Sequence, residues 1–89
     1  MNQINHKDIP LDSYVIRIKD SNVYLIEVDK ATYSIFFKET INGWLLYNKQ
    51  DAIDTVEHIN NMTDLNVEYI RYRIAYTQHA LPKIQSILN

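Results

Sequence analysis

The chain has no cysteine, a single glycine, two prolines and one tryptophan in 89 residues. Without thiols there is no disulfide framework, no thiolate zinc site and no cysteine nucleophile, which suits a reducing compartment. One glycine nearly excludes a phosphate-cradling loop, whose backbone must approach an anion closely at several positions. No apolar run nears the roughly 20 residues needed to cross a bilayer. The start, MNQINHKDIPLDS, is polar and unlike a signal peptide. The expectation is a cytoplasmic protein with no membrane association. Basic charge is not in excess either. Nine Lys plus Arg stand against eleven Asp plus Glu, a net charge of −2. That argues against bulk attraction to nucleic acid or anionic lipid, although a local basic patch remains open.

What is present is ordinary globular material, 46% hydrophobic and 22% charged, enough for one domain with a thin core. Thirteen Ile, nine Asn and seven Tyr read as the codon habit of an AT-rich genome. A polar lead-in covers residues 1–12. SYVIRIK (13–19), VYLIEVD (23–29) and YSIFFK (33–38) each alternate with period two and are joined by the short polar links DSN and KAT. Links that short make an antiparallel meander, because parallel pairing needs a longer crossover. Gly43 marks the next turn, and WLLY (44–47) has the composition of a short strand. Asn48 then caps a helix over about 49–61, with Ala52, Ile53, Val56 and Ile59 on its apolar face.

The last third is ambiguous. Val67, Ile70, Ile74, Thr77, Leu81, Ile84 and Leu88 recur at spacings of three and four, which favours one long helix. Pro82 opposes that, and the Tyr, Ile and Val content of 67–76 is that of a strand. The favoured reading is a strand over 67–75 and a short helix near 79–88 with Pro82 in its first turn. The fold class is therefore α+β, with a three- to four-stranded antiparallel sheet in 13–76, the helix 49–61 and a helical tail in 77–89.

On that reading one sheet face collects Tyr14, Ile16, Ile18, Tyr24, Ile26, Val28, Tyr33, Ile35, Phe37, Ile70, Tyr72 and Ile74, a core for the helix 49–61 to cover. The other collects Arg17, Lys19, Lys38, Arg71 and Arg73 with Phe36 and Tyr69, opposed by Glu27. A basic, aromatic face suits a protein partner, where Tyr, Phe and Arg are enriched. It also suits single-stranded nucleic acid, through stacking and phosphate contacts. The plain alternative is a wet sheet face. Val23, Leu25 and Phe36 sit awkwardly on a wet face, so the helical tail, through Leu81, Ile84 and Leu88, or a second copy of the chain is expected to cover them. Trp44 is either a partner anchor or a core-edge ring with its N–H satisfied.

Catalytic parts are not apparent. His6, His58 and His79 lie at no metal-ligand spacing, and the Asp54–His58 pair offers only two ligands. Ser13, Ser21, Ser34 and Ser86 have no identifiable base beside them. Asp51, Asp54 and Glu57 fall on an exposed helix face. No cofactor, metal or catalytic residue is expected.

The blocks SYVIRIKDSNVYLIEV, YSIFFKE, GWLLYNKQDAIDTVEHINN and LNVEYIRYRI resemble small uncharacterised proteins of phages and mobile elements in low-GC Gram-positive bacteria. The likeness rests on Tyr14, Val15, Tyr24, Phe36, Trp44, Tyr47 and Ala52 and covers about 13–74, with AYTQHALPKIQSILN as a departure. It implies a non-enzymatic protein that binds a host or defence protein and regulates or inhibits it, and it supplies no functional residues. The expected partner-binding residues, read from the sheet face, are Arg17, Lys19, Phe36, Lys38, Trp44, Tyr69, Arg71 and Arg73. A protein partner comes first, a nucleic acid second, and homodimerisation is a further option.

Overall fold

A computed structural model of the chain describes residues 9–32 and 34–80. The elements are β1 (Tyr14–Ile18), β2 (Tyr24–Asp29), β3 (Ser34–Lys38), α1 (Lys49–Met62), β4 (Val67–Arg71) and α2 (Tyr72–Ala75), which runs directly into a π-helical turn, Tyr76–Ala80. The strands form one antiparallel sheet in the order β3-β2-β1-β4. The expected α+β meander, helix and closing strand are all present.

Side chains set the turns. Between β1 and β2, Ser21 Oγ donates to the Ile18 carbonyl and accepts from the Val23 N–H. Asp20 takes φ of 58° there. Asn and Asp tolerate this left-handed region better than most residues. After β2 the Asp29 carboxylate accepts from the N–H groups of Ala31 and Thr32, an Asx-type turn. Gly43 takes φ of 80°, as the single cheap source of positive φ should. The segment 44–47 is no strand. Its backbone meets the sheet at two points, where Tyr47 bridges Tyr14 and where the Leu45 N–H donates to the Leu25 carbonyl.

Helix α1 begins where expected. Asn48 Oδ1 accepts from the Asp51 N–H at 2.8 Å, and Asp51 sits in the first turn. At its far end Asn60 does what no periodicity reveals. Its amide accepts from the Val67 N–H at 2.8 Å and donates to the Val67 carbonyl at 3.1 Å. The side chain thus acts as a backbone partner for the first residue of β4 and fixes where that strand starts.

The faces of the sheet differ from the sequence reading. In β1 and β3 the assignment holds, with Ile16, Ile18, Ile35 and Phe37 towards α1. In β4 and in the first half of β2 it is inverted, while past the bulge Val28 pairs with Ile35 and keeps its expected face. Tyr24 pairs with Arg17, and Ile70 with Val15, so Leu25 and Val67 face α1 instead. Cross-strand partners share a face, so a slip of one residue turns a whole strand over. A bulge follows, because Leu25 pairs with Phe37 while Glu27 pairs with Phe36.

Both faces are buried at β1 and the first half of β2, while the β2–β3 end stays more open. Val56 and Ile59 of α1 pack on Ile16, Leu25 and Val67, with Leu45 and Tyr47 beside them. The second face holds Val15, Tyr24, Ile26 and Ile70 under Ile9, Trp44, Tyr72, Ala75 and Tyr76. The expected strand over 67–75 therefore stops at Arg71, and the helix begins at Tyr72, well before 79. At that point the Tyr72 N–H donates to the Ser13 carbonyl. Tyr72, Ala75, Tyr76 and His79 then recur at i, i+3, i+4 and i+7 and lie down on the sheet, while Ile74 and Thr77 of the sequence-derived seam are exposed. The expected cover by Leu81, Ile84 and Leu88, Pro82, Tyr33 and the lead-in 1–8 lie outside the described residues.

Candidate binding surface

Arg17 shows why the basic sheet face is not open. Its cross-strand neighbours are Tyr24 and Glu68, and α2 with its π turn lies over that side. Nε donates to Glu68 Oε2 at 2.7 Å, while NH1 reaches the Ser21 carbonyl at 3.4 Å and His79 Nε2 at 3.1 Å. A guanidinium only donates, so that last contact needs an unprotonated Nε2 on His79. The Arg17 and Glu68 side chains are 14% and 29% exposed, a partly buried pair. Burial works against both charges. The Asp20 N–H, which donates to Glu68 at 3.1 Å, and Arg17 outweigh it and hold the carboxyl below its usual range. Burial likewise opposes the Arg17 charge, and Glu68 and Tyr24 more than restore it.

Beside this pair the ring of Tyr24 is fully buried, stacked on Trp44 at 4.2 Å between centroids. Its hydroxyl has no hydrogen-bond partner among the described residues. It lies near enough to Arg17 to feel the charge, but no well-formed bond joins them. Burial dominates and pushes the phenol above its usual value.

The eight expected partner-binding residues are not brought together. Arg17 is occupied by Glu68. Trp44 is a core residue: it is 8% exposed, its indole N–H donates to the Thr40 carbonyl at 2.6 Å, and Tyr72 meets its edge. Phe36 and Lys38 sit on β3 at one sheet edge, and Lys19 follows β1. Tyr69 and Arg71 do stay together at the opposite edge, and Arg73 follows in α2. The Tyr69 ring meets the edge of Tyr14 at 5.7 Å, and the Arg71 guanidinium lies 5.8 Å from the Tyr14 centroid, a cation–π geometry. Tyr69 and Arg71 are on the α1 side of the sheet, across from Arg17, whereas Arg73 is carried on α2.

Ile74, 46% exposed, follows Arg73 on α2, and Tyr69 on β4 is 39% exposed. Arg73, Ile74, Thr77 and Gln78 line a shallow open depression along α2. Sequence reasoning missed Ile74 because it was counted on an apolar seam, and missed Glu68 and His79 because their meeting with Arg17 depends on the register. Among the described residues the Arg17–Glu68 pair is the one salt bridge, so Arg71 and Arg73 have no carboxylate partner there.

Elsewhere the chemistry is sparse. His58 is exposed on α1, and Asp54 accepts from Gln50 instead of engaging it. Among the described residues no group of three His, Cys, Asp or Glu could hold a metal ion, and no helix is long and apolar enough to cross a membrane. Compared with protein-family models, with characterised proteins and with solved structures, the chain matches none.

Proposed function

We propose that the chain is a non-enzymatic cytoplasmic protein-binding module that regulates or inhibits its partner, a host or defence protein, as the resemblance to phage and mobile-element proteins implies. The strip Tyr69, Arg71, Arg73 and Ile74 carries the contact. One observation supports this above the rest: two exposed large apolar side chains are flanked by two arginines that have no carboxylate partner among the described residues. Such a mixture is what protein interfaces enrich, and it favours a partner with acidic groups around an apolar patch. Affinity capture from the native host tests it, comparing the chain with its Arg71→Glu, Arg73→Glu variant. The variant should lose the partner while its fold stays intact, since both arginines are exposed. Equal capture by both would count against the proposal.

Nucleic acid is the weaker reading. Stacking readout needs an open aromatic face with cations around it, whereas α2, Trp44 and Ile9 cover that side of this sheet. A mobility-shift assay at low salt should show no retarded oligonucleotide. A shift that falls steeply with salt would favour the nucleic-acid reading instead.

A further inference from the structure

The two sheet edges are built differently. β4 carries Glu68 and Arg71 and turns at once into α2. β3, Ser-Ile-Phe-Phe-Lys, holds no proline and one charge at its end, and among the described residues it pairs only with β2. Phe36 is 45% exposed on it. Proteins usually blunt an edge with charges, proline or a cover, because a free row of N–H and C=O groups accepts another strand.

We propose that β3 is a homodimer interface, pairing antiparallel with β3 of a second copy about a two-fold axis through Phe36. The sequence is self-complementary in that register. Phe36 faces itself, Ile35 faces Phe37 of the partner, and Ser34 faces Lys38, so no like charges meet. Ile35 and Phe37 already belong to the core under α1. Their pairing across the axis joins the two cores into one apolar layer. On the other face Tyr24 lies beside Lys38 and Asp29 beside Ser34. A single row across the dimer therefore reads Tyr24, Lys38, partner Ser34, partner Asp29. Two strand spacings, about 10 Å, separate Lys38 from the partner's Asp29, within reach of an extended lysine. Only one oxygen of that carboxylate is used in its own turn, Oδ1 towards Ala31 and Thr32. The row repeats on the other side of the axis, giving two such attractions. A five-residue edge is small against the roughly 1,600 Å² of a standard interface, so association should depend on concentration.

Sedimentation equilibrium across a concentration series gives the first readout. The mass should rise from one chain towards two. Phe36→Lys sets two like charges face to face and removes an aromatic cross-strand pair, and should weaken association about tenfold or more. Since Phe36 is half exposed, the monomer fold should survive, as circular dichroism would show. A second readout uses the absence of cysteine. In Phe36→Cys the two thiols meet on the axis at disulfide distance, so mild oxidation should link the chains quickly. Ser34→Cys and Asn61→Cys should link slowly. A single-chain mass at every concentration, a dimer indifferent to Phe36→Lys, or equal cross-linking at 36 and 61 would each overturn the proposal. The β3 edge lies at the far side of the sheet from Tyr69 and Arg71, so this inference stands or falls separately from the binding strip.

Discussion

At the scale of single residues, the Arg17–Glu68 pair has the clearest consequence. The folded carboxyl sits below the ordinary value near 4.5. Its contribution is therefore complete above that value and is lost as pH falls through the lowered one. Glu68→Gln should cost about 1–3 kcal/mol near neutrality, since it leaves a partly buried guanidinium without its anion. The gap between the two proteins should narrow in denaturant titrations below about pH 4.5. Tyr24→Phe runs the other way. It deletes a buried hydroxyl that has no partner among the described residues, so stability should be unchanged or raised by about 1 kcal/mol. A clear loss would reveal a partner for that oxygen. Gly43 was legible from composition alone, because a chain with one glycine must spend it where φ is positive. Trp44 was legible as one of two alternatives, and its bonded N–H decides for the core. Arg17 was not legible, since nothing local says which carboxylate lies across the sheet.

At the scale of elements, α1 could be read almost to the residue. Its apolar spacing and its Asn48 cap are both local. Asn48→Ala should lower stability by about 1 kcal/mol, measurable as a lower melting temperature with helix content otherwise kept. Asn60→Ala should cost about 1–2 kcal/mol because two backbone groups of Val67 lose their partner. It should also raise amide exchange at the start of β4 while leaving α1 protected. That second site was hidden, being a contact between residues seven apart whose side chain imitates a strand. The stretch 67–80 deceived for a similar reason. VEYIRYRI is strand-like in composition and helix-like in spacing, and the chain uses both, five residues of strand and then helix. What decides is the Tyr72 N–H on the Ser13 carbonyl and the landing of Ala75 on the sheet. Both are tertiary, and tertiary contacts override weak local preference.

At the scale of the whole molecule, the sheet has a cover on each side. Period-two alternation showed which residues share a face within a strand. It could not show how neighbouring strands align, and that is where the imagined basic face came from. With two covers, Tyr24, Tyr47 and Tyr72 are shielded enough that burial raises all three phenols above the ordinary value near 10. Their contribution is complete below that value and lost as pH rises through the raised ones. Absorbance titration should therefore show these tyrosines ionising together with alkaline unfolding. The location of the binding strip at the β4 edge depends on the same claim, that Tyr72 to Ala80 closes the second face over Trp44. Residue-resolved hydrogen exchange tests it most directly. The Tyr72 amide and the Trp44 indole N–H should exchange slowly, since each has a carbonyl partner in the closed face. Exchange of both at the rate of free peptide would contradict the account.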